Sequence, residues 1–259
     1  LTFIDKLDFG RTLAGTFVKT PSSNIIEILA LSGLDFICLD AEHSAIGRRE
    51  MDWCLALARA LELPTFVRLS HASADAILQA LDGGATGVVV PHVDCLETAK
   101  EVARRSRFGA GGRGYAGTTR YGGFATHGMA QILAEEKNNV FVIAQIEDPS
   151  ALDEIEAIAA VDGIDALFFG AADMAVGLGL GNPGAPEVEA AFTRVAQAAT
   201  AAGKPLAAHC GVASGIGDLT KRGVSLAFVG SDQGMVLSGA KAIATAVRVQ
   251  FNILPSISE

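Results

Sequence analysis

The sequence predicts a parallel (β/α)8 barrel, the TIM-barrel class of α/β fold. Three observations lead there. Short apolar, β-branched runs alternate about eight times with longer helix-like segments. The runs are apolar almost throughout, as parallel strands covered on both faces must be. Ionisable residues collect just after the C-terminal ends of the runs, whereas the other ends carry ordinary turn residues such as Gly33, Pro64, Asn139 and Gly203. A doubly wound open sheet satisfies the first two observations and stands as the alternative.

Taken in order, the expected strands are LAGTFVK (13–19), DFICLD (35–40), TFVRL (65–69), TGVVVPH (86–92), VFVIAQIE (140–147), DALFFG (165–170), PLAAHC (205–210) and LAFVG (226–230). Between them, SNIIEILALSG opens on capping Ser and Asn and stops at Gly33. RREMDWCLALARALEL, ADAILQALDGG, CLETAKEVARRS, SALDEIEAIAAV and PEVEAAFTRVAQAATAAG have the same helical form. Two stretches break the rhythm. A glycine-rich insertion from Gly109 to His127 follows the fourth strand, and a second runs from Gly170 to Pro186. Loops of that length are usually functional or mobile. The whole chain, 1–259, is expected to form one barrel domain. Beyond Gln250, Phe251, Ile253 and Leu254 are placed to cover a barrel end or a neighbouring subunit.

Composition narrows the function. With 259 residues, 50% of them hydrophobic, the chain can bury a full core. A formal charge of −9 argues against nucleic acid, which needs a basic face. No apolar run reaches the ~18 residues of a membrane helix. The opening LTFIDKLDFGRT has no basic stretch followed by an apolar segment, so no signal peptide is expected, and the missing initial Met reads as a trimmed start. Cys38, Cys54, Cys95 and Cys210 are widely spaced and contain no CxxC pair. They read as small hydrophobes in a reducing compartment, the cytoplasm, rather than as a disulfide or zinc framework. Both glycine-rich stretches contain GxGxxG, at Gly109-Gly111-Gly114 and at Gly179-Gly181-Gly184. Neither follows a strand and opens a helix with an acid downstream, so dinucleotide binding is rejected.

In a parallel barrel the strand C-termini share one face, and chemistry gathers there. That face receives Lys19, then Asp40, Glu42 and His43, then Arg68, His92, Gln145 with Glu147, Asp173, His209, and Ser231 with Asp232. Glu147 and Asp173 come from neighbouring strands, and two carboxylates at one rim suit a hard divalent ion, Mg²⁺ or Mn²⁺. Each alone also reads as a helix-starting acid. His43, three residues after Asp40, fits a general base whose imidazole a carboxylate orients. A structural His–Asp pair is the plainer reading. Arg68 inside an apolar strand needs a partner such as Glu42 or Glu147, and at a rim it can stabilise an oxyanion. Glu42 belongs beside the metal waters or Arg68, not among the ligands. His92 and His209 are read as structural or supporting, and His71 and His127 as loop residues. The backbone N–H groups of Gly170-Ala171-Ala172-Asp173, ahead of a short helix, can hold a carboxylate.

These residues, with LDAEHS (39–44), VRLS (67–70), GATGVVVPHVD (84–94), GGRGYAG (111–117), AQIEDPSALDEI (144–155), VDGIDALFFGAADMAVGLG (161–179) and APEVEAA (185–191), resemble a known family. It is the class II, metal-dependent pyruvate aldolases of the 4-hydroxy-2-oxoheptanedioate aldolase, 2-dehydro-3-deoxyglucarate aldolase and citrate lyase β-chain group. The resemblance covers most of the chain. It implies a barrel of the phosphoenolpyruvate/pyruvate-binding type and a divalent ion (Mg²⁺ or Mn²⁺, with Co²⁺ admissible) held by Glu147 and Asp173. It implies Arg68 on the keto oxygen, His43 with Asp40 in proton transfer, Gln145 beside the pyruvate, and the amides of Ala172 and Asp173 on its carboxylate. It further implies a homo-hexamer whose last helix, GAKAIATAVRVQF, packs on a neighbour. The family's Gly-Pro-Ala-Asp is here Gly170-Ala171-Ala172-Asp173, which frees one N–H. The loop between Phe108 and Tyr121, with Arg113 and Arg120, also departs from the family at the place expected to face the aldehyde.

The expected reaction is cleavage of a 4-hydroxy-2-keto acid to pyruvate and an aldehyde through a metal-bound enolate. Three alternatives stand beside it: a Schiff-base aldolase using Lys19, CoA-thioester or decarboxylating lyase chemistry of the same superfamily, and a silent barrel that binds small acids.

Overall fold

The computed structural model describes residues 11–251, together with Phe3 and Leu7. Eight parallel strands close into a barrel in sequence order, as expected. They are β1 (Leu13–Val18), β2 (Phe36–Asp40), β3 (Thr65–Arg68), β4 (Gly87–Val90), β5 (Phe141–Ile146), β6 (Ala166–Phe169), β7 (Leu206–Cys210) and β8 (Val224–Ser231). The helices are α1 (Ser23–Ala30), α2 (Arg48–Ala60), α3 (Ala74–Asp82), α4 (Leu96–Ser106), α5 (Met129–Asn139), α6 (Ile155–Ala159), α7 (Ala171–Gly177), α8 (Pro186–Ala201), α9 (Ile216–Lys221) and α10 (Asp232–Gln250). The open doubly wound sheet is therefore excluded.

The two-residue period of a strand sorts its side chains into two cores. Val18, Ile37, Leu39, Val67, Val88, Val142, Leu167 and Ala227 face the helices and join the outer core. The other set fills the barrel: Phe17, Phe36, Cys38, Phe66, Val89, Phe141, Ile143, Phe168 and Phe228. Its rings meet edge to face, with Phe36–Phe66 centroids 5.5 Å apart and Phe168–Phe228 centroids 4.9 Å apart. Phe3 joins from below, 5.0 Å from Phe66. Two glycines make the rings fit. A Cβ on Gly15 would lie 2.3 Å from the Phe36 ring, and one on Gly87 would lie 1.9 Å from the Phe141 carbonyl oxygen.

Two parts of the sequence reading need correction. Between the glycine-rich stretch and β5 lies α5 (Met129–Asn139), a helix absent from the expected set. More important is where that stretch lies. It leaves the C-terminal end of α4 and so sits at the N-terminal end of the barrel, opposite the strand C-termini. Arg59 donates to the carbonyl of Arg120 at 2.8 Å, Arg120 donates to Asp52 and to the Gly83 carbonyl, and the Tyr121 amide donates to the Asp82 carbonyl at the end of α3. Arg113 is buried between the rings of Phe108 and Tyr121, 3.9 and 4.3 Å from their centroids. Within this chain neither arginine reaches the rim that carries the ionisable strand ends.

Gly87→Ala is expected to overpack the barrel and cost about 3 kcal/mol. A lowered urea midpoint with unchanged slope checks this; an unchanged midpoint would contradict the packing described.

Candidate active site

Continuing the inward parity of each strand by one step past the phenylalanines leads to Lys19, Asp40, Arg68, Gln145, Gly170 and His209 in one ring. Below this ring the barrel is sealed with aromatic carbon. Above it lies a cavity of about 730 Å³ whose wall includes Lys19, His43, Arg68, Gln145, Ala172, Asp173 and His209.

Asp40 is the most enclosed ionisable group of the ring, at 0% exposure. Its carboxylate accepts from Arg68 Nε at 3.1 Å and Arg68 Nη2 at 2.8 Å, and Lys19 Nζ stands 3.2 Å away. It also accepts the backbone N–H groups of Glu42 and His43, at 3.2 and 3.0 Å. Burial alone would raise the Asp40 pKa, but the Arg68 hydrogen bonds and charge, the His43 amide and Lys19 together hold it below the usual carboxylate range. This corrects an expectation. Asp40 does not orient the His43 imidazole; it anchors the turn that carries it. The exposed His43 ring has Glu42 as its carboxylate neighbour, 3.8 Å from Nε2.

Arg68 is shared. Besides Asp40 it stands 3.3 Å from Glu42 Oε2, and its guanidinium lies 4.4 Å over the Phe17 ring. Of the two partners expected for it, Glu42 is found and Glu147 is not.

Glu147, 2% exposed, directly follows β5. It accepts the His92 backbone N–H at 3.0 Å and a hydrogen bond from the Gln145 side-chain amide. Gly170 makes room for it, since a Cβ there would meet Glu147 Cβ at 2.7 Å. Burial pushes the Glu147 and Glu42 carboxyls above their usual range, against Gln145 in one case and Arg68 in the other. Glu42 Oε2 and Gln145 Oε1 are buried and have no hydrogen-bond partner. Among the described residues, Glu42, His92 and Glu147 each offer a ligand atom within 4.8 Å of the others. One buried and one partly buried carboxylate beside an imidazole fit a divalent cation.

The expected pair was Glu147 with Asp173. Asp173, in the first turn of α7, is exposed on the cavity wall outside that spacing, yet near enough for its charge to raise the Glu147 pKa. Glu42 and His92, both expected in supporting roles, offer ligand atoms beside Glu147. His92 owes its place to a left-handed backbone, φ +54°, that turns its N–H onto Glu147 while Nδ1 bonds Asp148 at 3.0 Å. The signal available in the sequence was Pro91-His92 at a strand end, one strand before Glu147. Lys19, the residue expected for a Schiff-base aldolase, lies on the cavity wall with its Nζ 3.2 Å from Asp40.

Residues 13–238 match the model of the HpcH/HpaI aldolase/citrate lyase family. The chain belongs to that family. It is 34% identical over 252 residues to a 4-hydroxy-2-oxovalerate aldolase of Rhodococcus jostii (strain RHA1), covering 94% of each chain. It is 30% identical over 239 residues to a 2-dehydro-3,6-dideoxy-6-sulfogluconate aldolase of Pseudomonas putida, covering 90% of this chain and 92% of that one. A family member of known structure from Burkholderia cenocepacia J2315 superposes with a TM-score of 0.88 at 31% identity, over 95% of this chain and 98% of that one. This HpcH/HpaI member is accordingly an enzyme, a lyase of the aldolase type acting on keto acids. Among its described residues no helix is long and apolar enough to cross a membrane.

Asp40→Asn leaves the buried Arg68 with Glu42 as its acidic neighbour and without its forked carboxylate partner. It is expected to destabilise the fold by about 3–5 kcal/mol in chemical denaturation; a cost under ~1 kcal/mol would show that the pair does not anchor the rim.

Proposed function

We propose that this chain is a divalent-metal-dependent aldolase that cleaves a 4-hydroxy-2-keto acid into pyruvate and an aldehyde. The observation that carries the reading is the buried Glu147 carboxylate, gathered with Glu42 and His92 beside the guanidinium of Arg68. Glu147 would hold the ion, with Asp173, Glu42 and His92 as the other donors at hand. Carboxylate oxygens suit Mg²⁺ and Mn²⁺, and an imidazole makes Mn²⁺ or Co²⁺ the better match. When bound, the ion supplies Lewis acidity to the oxygens of the keto acid.

The chain's own groups do the rest. Arg68 Nε and Nη2 are committed to Asp40, while Nη1 has no partner among the described residues and is free to donate to the 2-keto oxygen as negative charge develops. The amides of Ala172 and Asp173, at the start of α7, would take the substrate carboxylate. Gln145 would lie beside the keto acid, held by its bond to Glu147. His43, exposed at the cavity mouth, would accept the 4-hydroxyl proton as the C3–C4 bond breaks. The bonding pair passes to C3, the aldehyde leaves, and C3 is protonated to give pyruvate. In reverse, pyruvate loses a methyl proton and adds to the aldehyde.

Exchange of the pyruvate methyl protons in deuterated water, followed by NMR, tests this without the true aldehyde. Exchange is expected with added Mn²⁺ and not after EDTA. Glu147→Gln is expected to lower it by at least ~10²-fold and to weaken Mn²⁺ binding in calorimetry, and Arg68→Leu to lower it by ~10²-fold or more. Exchange surviving complete metal removal would overturn the reading.

A homo-oligomer, the hexamer implied by resemblance, accounts for α10. Met235, Val236, Leu237, Ile243, Val247 and Val249 on this helix are exposed, as is Phe251 just after it, and only Asp232 at its start is buried. Ile253 and Leu254 lie outside the described residues. Sedimentation equilibrium is expected to give a multiple of the 26.7 kDa chain mass; a monomer at micromolar concentration would count against it. Cytoplasmic residence fits the four free cysteines.

A further inference from the structure

The proposed cleavage moves two protons, and His43 carries only one of them, that of the 4-hydroxyl. C3 must gain a proton when pyruvate forms and lose one when pyruvate enters the reverse reaction. The direction in which C3 points narrows the search for its partner. C2 is trigonal, so its three substituents spread evenly in one plane. With the carboxylate at the start of α7, after β6, and the keto oxygen at Arg68 on β3, C3 is directed to the remaining sector of the closed strand ring, the ends of β7, β8 and β1.

Most ionisable groups of the cavity wall are committed elsewhere. Asp173, on α7, lies on the side of the proposed metal site. Glu189 and Arg222 hold each other at 2.6 Å. Lys19 Nζ is turned to Asp40, and a guanidinium such as that of Arg68 does not give up its proton. Cys210 has the outward parity of β7 and packs against the outer core. His209, one residue earlier, points inward and ends in the same ring as Arg68 and Gln145. Its side chain is open to the cavity and has no hydrogen-bond partner among the described residues. It stands 6.0 Å from the Phe17 ring centroid, and the Arg68 guanidinium covers that same ring at 4.4 Å. The imidazole and the guanidinium thus flank the patch of floor over which C2 and C3 lie. Partial burial, with the charges of Arg68 and Lys19 nearby, holds the imidazole below its usual pKa, so at neutral pH it carries a ring nitrogen that can accept a proton.

We propose that His209 is the acid–base group at C3, a second catalytic residue working alongside His43. The inference rests on the aldolase reading above and supplies the proton carrier that this reading leaves open. In the aldol direction the neutral imidazole accepts one methyl proton of pyruvate. The C–H bonding pair moves into the C2–C3 bond, and the C2–O π pair moves onto the oxygen beside Arg68. In cleavage the C3–C4 pair makes the same shift as the aldehyde leaves. The imidazolium of His209 then gives its proton to C3, and the pair on oxygen returns to the carbonyl bond. His209 takes its next proton from water at the open mouth and His43 returns one there, so nothing is consumed. The lowered basicity that makes His209 neutral at rest also makes its imidazolium the stronger acid toward carbon.

The test is exchange of the pyruvate methyl protons by the full chain with Mn²⁺ in deuterated water, read by mass spectrometry of the pyruvate. His209→Leu and His209→Ala are each expected to lower the exchange about 10²-fold. Oxalate, a planar mimic of the enolate with no proton to transfer, is expected to bind both variants within about threefold of wild type in calorimetry. Added imidazole is expected to restore exchange to His209→Ala by at least ~10-fold and to leave the wild type unchanged, which a side chain that only shapes the cavity would not allow. Exchange in His209→Leu within about threefold of wild type, a loss that imidazole does not repair in His209→Ala, or a loss matched by lost oxalate binding overturns the assignment. Wild-type exchange keeps the two readings apart: exchange that His209→Leu preserves removes the role of His209 alone, and no wild-type exchange with metal present removes the aldolase.

Discussion

The rim of this barrel depends on one buried ion pair. Asp40 and Arg68 end adjacent strands and are register partners, and the carboxylate sits with no solvent contact under a forked guanidinium. Placing either charge there alone would cost several kcal/mol, so each is required by the other. The pair does more than neutralise itself. Asp40 spends its remaining acceptor capacity on two backbone N–H groups of the turn after β2 and on Lys19 of β1, so three strand ends and one turn are tied to one carboxylate. Arg68 carries the same constraint onward to Glu42. Three parts of the proposed chemistry hang from this frame: the position of His43, the orientation of Glu42, and the single guanidinium nitrogen left over for substrate.

The pair can exist only because of what lies beneath it. The interior set of the strands is aromatic up to the last step and polar at that step, a change that the two-residue period concentrates into one layer. Packed rings exclude water from below, which strengthens each electrostatic contact above and raises the cost of leaving one unmade. Gly15 and Gly87 are part of that arrangement, since a single added carbon at either would displace a ring or a backbone carbonyl.

The fold was legible because its signal repeats. Eight apolar runs with polar ends are hard to imitate by chance, and every expected strand is present within a residue or two. The site was legible as a set of residues but not as a set of contacts. Strand parity names Asp40, Arg68, Gln145 and Glu147, because a strand fixes the direction of its side chains. It does not reach past the strand. His43 lies on a turn, and proximity in sequence suggested an Asp–His contact where the turn spends Asp40 on backbone amides. His92 depends on a left-handed residue, which no period encodes. The loop carrying Arg113 and Arg120 was assigned to the wrong end, because a glycine-rich stretch after a βα unit can precede or follow the turn of direction. Only α4 running down the barrel settles which.

That reassignment bears on specificity. If the loop with Arg113 and Arg120 is at the bottom of its own barrel, choice of the aldehyde within one chain falls to the rim itself. Asp40, Arg68, Gln145 and Glu147, at the ends of β2, β3 and β5, are enclosed, and a substitution there disturbs a shared network. Lys19, just past β1, meets that network through Asp40, and the His209 ring on β7 has no hydrogen-bond partner among the described residues. Relatives of this chain at 34% and 30% identity share the word aldolase and differ in the substrate named. A barrel whose rim is locked at one side and loosely held at the other is the arrangement that such a family requires.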